Sequence, residues 1–320
     1  MTAERTRTRI FWAFAAIYLI WGSTYLAIQV GIETIPPFLL GATRFLVAGG
    51  ALVLWARLRG EPFPAASVWR AATILGGLFF LFGNGLVVWA EQHVPSGRTA
   101  LLASTSPIWT VMLESALDGW RRPPARVMAG IGLGMAGLFL LAAPAAGSES
   151  VAVSGILALL GASIAWATGS VYSHRHHLPA SPTMATGMKM LAGGGLLAIV
   201  ALVTGEGGRL HLAAVSPASW FALIYLCIFG SIIGFSAFTY LLRTTTPQLV
   251  GTSAYVNPLV AVFLGWALAS ETVTSRMMLG ALVSLSGVVL IRWGSREPPA
   301  PEEADVGTIE TGEFPVPTPK

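Results

Sequence analysis

Two basic side chains lie inside apolar stretches of this chain, at places that match. Arg44 is followed by Phe-Leu-Val-Ala-Gly-Gly, and Lys189, 145 positions later, is followed by Met-Leu-Ala-Gly-Gly-Gly. A charge held in apolar surroundings is costly and persists mainly where it faces water or a partner. We therefore expect both residues to serve a gate or a substrate path. The alternative is that both lie near helix ends and extend to lipid headgroups.

Glu114 is the deepest carboxylate in an apolar stretch, and Asp118 follows one helical turn later. A carboxylate at such a depth can take up and release a proton, which makes Glu114 a candidate for proton coupling. The alternative is that both carboxylates pair with Arg121, Arg122 or Arg126. The matching place in the second half of the chain carries no carboxylate, and this favours pairing.

Pro107 and Pro258 form a second matched pair, 151 positions apart. A proline inside a helix removes a backbone hydrogen bond, and helices broken at matching places mark a binding site near the middle of a bilayer. The predicted cavity residues are aromatic, hydroxyl or amide side chains: Trp21, Ser23, Thr24, Tyr25, Asn84, Thr105, Trp109, Trp166, Thr168, Ser170, Tyr255 and Asn257. Singly, each hydroxyl suits helix packing and each ring suits a membrane interface. As a repeated set they predict a polar cavity with aromatic walls.

Three other patterns carry no expected chemistry. Residues 132–137 match the GxGxxG pattern, but the segment is apolar and no strand precedes it, which predicts a helix-packing face. His174, His176 and His177 are interpreted as a solvated basic loop rather than a metal site. Cys227 is the only cysteine, so no intrachain disulfide can form. We therefore expect no metal and no cofactor.

The composition places these residues in a membrane protein. Hydrophobic residues make up 54% of the chain and charged residues 11%, against about 25% charged in soluble domains. A bilayer core of about 30 Å needs roughly 20 apolar residues per helix. Ten stretches are predicted as transmembrane helices: 10–30, 37–56, 70–89, 97–117, 126–142, 153–173, 183–203, 217–241, 248–269 and 276–293. The predicted fold class is therefore all-α integral membrane, with no soluble domain.

The matched pairs extend over the whole apolar region. The offset between matching positions is 145 near residues 21–44, 151 near residues 69–107 and 150 near residues 126–137. Residues related by these offsets are called repeat counterparts below. The sequence thus contains one five-helix unit twice, at residues 10–142 and 153–293. Because five is odd, the second unit is predicted to be inverted relative to the first.

Charges at the ends of the predicted helices set the orientation. With the N-terminal tail, residues 1–9, on the inside, thirteen arginines lie on inner segments and three on outer ones. This bias predicts that both termini are cytoplasmic, and it accounts for the net charge of +4 without a nucleic-acid partner. Residues 143–152 are predicted as a linker. Residues 294–320, rich in Pro, Glu and Thr, are expected to form a disordered cytoplasmic tail.

Three stretches resemble the EamA family of the drug/metabolite transporter superfamily: IYLIWGSTYLAIQVGIETIPPFLLGATRFLVAGG, WAEQHVPSGRTALLASTSPIW and SAYVNPLVAVFLGWALASE. The resemblance covers about residues 10–293. It implies ten transmembrane helices in two inverted EamA repeats, with helices one, three, four, six, eight and nine around a central cavity. It also implies a bacterial inner-membrane carrier that exports amino acids or other small metabolites. The second half keeps the family's acidic residue at Glu271, and the first half departs from it at Asp118-Gly119.

The expected function is transport of a small molecule across the lipid bilayer by alternating access in a cavity between the units. The outward direction rests on the resemblance alone, and proton coupling stays open. Two other classes stand against this prediction. An intramembrane enzyme needs a nucleophile with a base, or metal ligands, and the predicted helices hold no histidine. A membrane scaffold gains nothing from inverted duplication or from prolines within helices.

Overall fold

The computed structural model describes residues 2–92, 99, 102–142, 153–176, 178, 180–269 and 275–294. Over these ranges the chain is helical and contains no strand. The long helices are α1 Thr2–Ile32, α2 Pro37–Leu58, α3 Ala66–Glu91, α4 Ser106–Leu117, α5 Ala125–Ala142, α6 Val153–Arg175, α7 Pro182–Val203, α8 Pro217–Thr244, α9 Ser253–Ala269 and α10 Ser275–Gly294. Short helices lie between them at Glu206–Arg209, Leu212–Ala214 and Pro247–Gly251. The predicted linker, the predicted tail after Gly294, His177 and Glu271 lie outside the described residues.

Six of these helices are long and apolar enough to cross a membrane: α1 over Arg5–Ile32, α2, α3, α6, α7 and α8. Helices α5 and α10 contain shorter apolar stretches, Ala125–Leu140 and Met278–Ile291. Large apolar side chains such as Leu54 and Phe221 are exposed on the outside of the bundle. Exposed apolar surface of this kind fits lipid rather than water. The predicted all-α membrane fold is confirmed at this level.

A hydroxyl side chain followed by a proline begins α7, α8 and the short helix before α9. Ser181, Ser216 and Thr246 each accept a hydrogen bond from the backbone N–H three residues further on. In each case a proline occupies the start of the first turn, where its missing N–H leaves no bond unmade. These caps fix the residues at which the helices enter the bundle.

Helices α2 and α7 are in close contact through glycines. A Cβ on Gly49 would lie 2.8 Å from the backbone nitrogen of Leu191, and a Cβ on Gly194 would lie 3.0 Å from that of Leu46. Gly49 and Gly194 are repeat counterparts, and so are Leu46 and Leu191. Each unit therefore makes the same contact on the other, and the two helices run antiparallel.

Helices α5 and α10 repeat this arrangement. A Cβ on Gly130 would lie 2.7 Å from the carbonyl oxygen of Gly287, and a Cβ on Gly137 would lie 2.5 Å from that of Gly280. Gly130 is the repeat counterpart of Gly280, and Gly137 is that of Gly287. The contacts are again reciprocal and antiparallel. Gly137 thus lies on a helix-packing face, as the glycine pattern predicted.

Helices α3 and α8 each contain a π-helical segment, at Gly77–Gly85 and Leu226–Ile233. The two segments overlap as repeat counterparts. The wider turn disturbs the regular backbone pairing, and the Asn84 side-chain nitrogen donates to the carbonyl oxygen of Phe79 at 2.9 Å. Such segments are frequent at functional sites. The sequence analysis did not predict them.

The two matched prolines are not placed alike. Pro107 lies in the first turn of α4, after a turn at Ser104 and Thr105. At that position the missing N–H leaves no helical hydrogen bond unmade. Residues 102 and 103, ahead of the turn, are helical, so the fourth predicted helix is interrupted directly before the proline. Pro258 does lie inside a helix, α9.

Candidate functional site

A cavity of about 130 Å³ lies between the two repeat units. Its lining comes from α1, α2, α3, α6, α8 and α9, from the start of α4 and from the turns before α4 and α9. The lining residues are Trp21, Thr24, Tyr25, Ile28, Arg44, Gly83, Asn84, Val87, Ala103, Ser104, Ser106, Ala162, Ser163, Trp166, Phe235, Gly251, Ser253, Ala254 and Asn257. The cavity is therefore polar along one part of its wall and aromatic along another.

Half of the predicted cavity residues line this cavity: Trp21, Thr24, Tyr25, Asn84, Trp166 and Asn257. Arg44, predicted as a gate or path residue, also lines it. These residues are far apart in the chain and belong to five different helices. The structure thus brings together the aromatic, amide and basic groups that the repeat pattern singled out.

Three other predicted residues face away from the cavity because of helix geometry. Ser23, Thr168 and Tyr255 each lie two positions from a lining residue, and residues two apart on a helix point in nearly opposite directions. Tyr255 is completely buried against Gly134 of α5, and Thr168 is bonded to the carbonyl oxygen of Ile164 in its own helix.

The remaining predicted residues lie just outside the lining. Ser170 is buried and donates to the carbonyl oxygen of Trp166, one turn earlier on α6. Trp109 donates from its indole nitrogen to the Thr105 hydroxyl at 3.3 Å. Both contacts are local to one helix or turn.

Three aromatic lining residues, Trp21, Trp166 and Phe235, pack against two further rings behind them. The cluster is called here the aromatic floor: Trp21, Phe79, Trp166, Phe235 and Phe238. The centroids of the two tryptophan rings are 5.5 Å apart, and that of Trp166 lies 5.3 Å from that of Phe238. The Trp21 indole nitrogen donates to the carbonyl oxygen of Gly230 in the π-helical segment of α8. Phe235 was not among the predicted cavity residues, although it is the repeat counterpart of Asn84.

Hydroxyl groups join the two units at the turn before α4. Ser104 donates to the carbonyl oxygen of Ala254 at 2.7 Å, and Ser163 donates to that of Leu102 at 3.1 Å. These bonds cross between the units where the cavity lining passes from one to the other. They hold the polar wall in place without using a charged group.

Arg44 is the charged group of the cavity wall. Its side chain is 4% exposed, and its Nε donates to the Ser231 hydroxyl at 2.7 Å. The guanidinium carbon lies 4.7 Å from the ring centroid of Phe45. A Cβ at Gly230 would lie only 2.8 Å from Arg44 Nη2, so a larger residue there would displace the guanidinium. Within the described part of the chain, Arg44 forms no ion pair with a carboxylate.

Lys189 is buried to the same degree, with 3% exposure, but it does not line the cavity. Its Nζ donates to the Thr239 hydroxyl at 3.1 Å and lies 5.8 Å from the ring centroid of Phe79. Thr239 also accepts a hydrogen bond from Thr186. The structure therefore places Lys189 behind the aromatic floor, away from the open cavity. Neither Lys189 nor Arg44 is solvent-exposed in the protein.

Glu114 lies outside the cavity lining and accepts a hydrogen bond from the side-chain amide of Gln248. Asp118 forms its ion pair with Arg175, at 2.6 Å. The predicted pairing with the arginines directly after α4 is therefore wrong for Asp118, because the end of α6 brings Arg175 closer. Glu114 itself takes an amide partner rather than a basic one.

A carboxylate that the sequence analysis did not single out lies at the end of α3. Both side-chain oxygens of Glu91 are buried and have no hydrogen-bond partner in the described part of the protein. Glu91 follows the cavity-lining residue Val87 by one helical turn. A charged residue at the end of a long apolar helix, in the stretch Trp-Ala-Glu-Gln, was the signal that could have found it.

The protein is an apolar helical bundle in which two copies of one sequence unit make reciprocal contacts. Between them lies a polar and aromatic cavity. This arrangement defines a membrane transporter. Comparison with known proteins agrees and gives the family. The model of the EamA-like transporter family matches residues 8–143 and 153–293. The chain therefore belongs to the EamA-like transporter family, which is matched twice.

Individual relatives agree with this assignment. The chain is 39% identical over 287 residues to the uncharacterized inner membrane transporter YedA of Escherichia coli K12, covering 89% of this chain and 91% of that protein. It is 23% identical to the probable amino-acid metabolite efflux pump of the same organism, over 88% of this chain and 93% of that one. A crystal structure superposes with a TM-score of 0.73 at 22% identity, over 90% of this chain and 98% of the other, and shows the same fold.

Proposed function

We propose that this protein exports a small metabolite, an amino acid or a related compound, across the bacterial inner membrane by alternating access. The observation that carries the proposal is the cavity, which is lined by both repeat units and ends at the aromatic floor. A carrier needs a central site that the units can open to one side at a time. The names of the relatives, an inner membrane transporter and an amino-acid metabolite efflux pump, supply the membrane, the direction and the solute class.

The proposed architecture is ten transmembrane helices in two inverted five-helix repeats, with α4 and α9 completing the spans. Its support is the pair of reciprocal contacts, Gly49 with Gly194 as counterparts in α2 and α7, and Gly130 with Gly280 in α5 and α10. Counterparts that make the same contacts on each other are related by a two-fold axis. When the helices concerned are antiparallel, the units have opposite orientations in the membrane.

Both termini are proposed to be cytoplasmic, on the strength of the thirteen-to-three arginine bias. Fusion of green fluorescent protein or alkaline phosphatase to the C-terminus tests this. We expect a fluorescent protein and an inactive phosphatase. An active phosphatase with a dark fluorescent fusion would refute the orientation.

Within the cavity, the faces of Trp21, Tyr25 and Trp166 are proposed to hold an ammonium group or an apolar side chain of the solute. Asn257 precedes the proline of α9, and its Oδ1 is buried without a hydrogen-bond partner in the described ranges. Its amide therefore has an acceptor to offer to the solute. Arg44 and Lys189 are proposed as gate or path residues. Proton coupling at Glu114 stays a prediction, and Glu91 is a second residue to test for it.

Flux in proteoliposomes tests the proposed function. The purified protein is reconstituted, and uptake of a panel of labelled amino acids and other metabolites is compared with uptake into empty liposomes. Ala162 lines the cavity, so Ala162→Trp should fill it and stop the flux. Ala51 is exposed on α2, so Ala51→Trp is the matched control and should transport normally.

Two results would contradict the proposal. One is that no solute of the panel enters faster than into empty liposomes. The other is that Ala162→Trp, shown to be folded by its elution as a single species in detergent, transports as fast as the unchanged protein.

A further inference from the structure

Arg44 presents a charge to the cavity that no carboxylate of the described residues pairs with. Its described polar side-chain partner is the Ser231 hydroxyl, and the ion pairs among the described residues are made by Arg175 and Arg209. An arginine stays charged in proteins, and its planar fork of donors matches the oxygens of a carboxylate or a phosphate. Because a lone buried charge is costly, an anion that enters the cavity is stabilised beside Arg44.

Lys189 is the repeat counterpart of Arg44 and is also a buried cation with no ion pair in the described part of the chain. It differs in access, because Arg44 lines the cavity and Lys189 does not. Two copies of one unit thus each hold a cation at the same place. One cation faces the open cavity and the other is sealed.

Two other lining residues of the first unit also have counterparts that do not line the cavity. Tyr25 and Val87 line it, whereas their counterparts Ser170 and Phe238 do not. The counterpart pairs Trp21 with Trp166 and Asn84 with Phe235, in contrast, line the cavity from both units. The second unit therefore shares the middle of the cavity but is closed where Lys189 takes the place of Arg44. Inverted-repeat carriers change access by moving one unit against the other around a fixed site.

We propose that Arg44 and Lys189 are two alternately exposed binding points for one anionic group of the transported solute. In the conformation described here the anion binds to Arg44. When the units exchange their arrangements, the Arg44 side closes, the aromatic floor opens and Lys189 faces the anion. This inference rests on the proposed transport function and adds the chemical class of the solute: it carries a carboxylate or a phosphate.

A binding measurement tests the role of Arg44. Purified protein in detergent is heated with L-leucine or L-leucinamide, and with glycerol 3-phosphate or glycerol. A ligand that binds the folded protein raises its melting temperature. We expect a rise with an acid and none with its partner that lacks the anionic group, and the responding pair identifies carboxylate or phosphate. Arg44→Gln should weaken that binding about 10- to 100-fold. Arg44→Lys keeps the charge and should lose less than about tenfold.

The proposal would be overturned if an acid and its partner that lacks the anionic group raised the melting temperature equally. It would also be overturned if neither acid raised the melting temperature. So would acid binding in Arg44→Gln that equals binding in the unchanged protein. Acid binding that needs Arg44, in a protein that moves no solute, would leave the binding site standing and refute the transport function.

Counterflow in proteoliposomes tests the role of Lys189, with the responding acid on both sides. Lys189→Gln should bind the acid within about twofold of the unchanged protein in detergent, yet exchange it about tenfold more slowly. Exchange at the normal rate would show that Lys189 is not a second binding point. Arg44→Gln, in contrast, should lose both binding and exchange.

Cysteine labelling tests the alternation itself, in a Cys227→Ala background that removes the only native thiol. Without solute, Tyr25→Cys should react with a membrane-impermeant maleimide and Ser170→Cys should not. Adding the acid to both sides should make Ser170→Cys reactive and should lower labelling of Tyr25→Cys. If the acid leaves labelling at both positions unchanged, the exchange of access between the two cations is wrong.

Discussion

The surroundings of Arg44 and Lys189 differ, although the two residues occupy the same place in the repeat. Gly230 lies against the Arg44 guanidinium so closely that a Cβ would be 2.8 Å from its Nη2. The repeat counterpart of Gly230 is Phe79, whose ring centroid is 5.8 Å from Lys189 Nζ. A small residue leaves room beside one cation, and a ring fills the same room beside the other. Part of the difference between the surroundings of Arg44 and those of Lys189 therefore follows from the sequence.

At the backbone of the two cations the residue sizes are reversed, with the larger residue beside Arg44 and glycine beside Lys189. The Cys227 thiol lies 3.7 Å from the carbonyl oxygen of Arg44, so this position has room for a side chain. Its repeat counterpart is Gly76, where a Cβ would lie 2.6 Å from the carbonyl oxygen of Lys189. The helices around Lys189 are thus in closer contact than those around Arg44. Close helix contact thus surrounds Lys189, whereas Arg44 lies beside the open cavity.

The largest effect is expected from breaking the aromatic floor, which separates the two halves. Trp166→Ala removes a ring that contacts Trp21, Phe79, Phe235 and Phe238. Loss of a buried aromatic side chain costs about 3–5 kcal/mol of unfolding free energy. We expect a much lower melting temperature in detergent and, in the protein that survives, a changed preference among solutes.

Trp109 supplies the control for this change, because it is partly buried like Trp166 but its ring lies outside the floor. Trp109→Ala should lose less stability and keep the solute preference. If Trp166→Ala melts like Trp109→Ala, the floor does not hold the two halves together.

A smaller effect is expected at the helix contact beside Lys189. Gly76→Ala forces a Cβ against backbone atoms of Lys189 and Gly193, which cannot move away as a flexible side chain can. Such overpacking costs about 1–3 kcal/mol. Gly77→Ala is the neighbouring control, since its Cβ would meet only a leucine methyl at 3.6 Å. Denaturation in detergent, followed by intrinsic fluorescence, should separate the two variants. Equal stability would mean that the Lys189 side is no tighter than the Arg44 side.

Much of the fold was predictable because a bilayer leaves few choices. Apolar length and the repeat offsets placed the long helices and the matched cations Arg44 and Lys189. They also placed Trp21, Trp166 and Asn257 on one cavity, which residues of both family-matched units line. The EamA-like family that the motifs resembled is confirmed by the match over both units.

What the sequence did not predict depends on helix face and on backbone deviations. Tyr255 and Thr168 were grouped with neighbours two positions away, and the 100° turn per residue sends them to other surfaces. The π-helical segments of α3 and α8 have no distinct composition, so Phe235 was not assigned to the cavity. Burial of the Glu91 oxygens depends on which helices pack around the end of α3, which no local pattern contains.

The two asparagines of the chain offer a second comparison, because Asn84 has a hydrogen-bond partner in its own helix and the Oδ1 of Asn257 has none among the described residues. Asn84 donates to the carbonyl oxygen of Phe79 within the π-helical segment, so Asn84→Ala leaves that carbonyl without this partner and should cost about 1 kcal/mol. Asn257 lines the cavity and its Oδ1 has no hydrogen-bond partner among the described residues, so Asn257→Ala should keep its stability and lower the apparent affinity for the solute. Melting in detergent and concentration-dependent flux, measured on both variants, distinguish a structural amide from a binding one. The reverse pattern would exchange their assignments.

The smallest effects are expected at the repeat counterparts Ser23 and Thr168, which face away from the cavity. The Ser23 hydroxyl lies 2.5 Å from the Tyr225 hydroxyl and so joins α1 to α8. Hydrogen bonds between membrane helices contribute about 0.6 kcal/mol on average, so Ser23→Ala should lower the melting temperature slightly. Thr168 is bonded only within α6 in the described contacts, so Thr168→Val should change nothing measurable. Tyr225→Phe removes the other partner of the Ser23 bond, and the double variant should be no less stable than either single one. If Thr168→Val instead impairs flux while its stability is unchanged, this face of α6 turns toward the solute in the other conformation, and the original assignment of Thr168 to the cavity regains support.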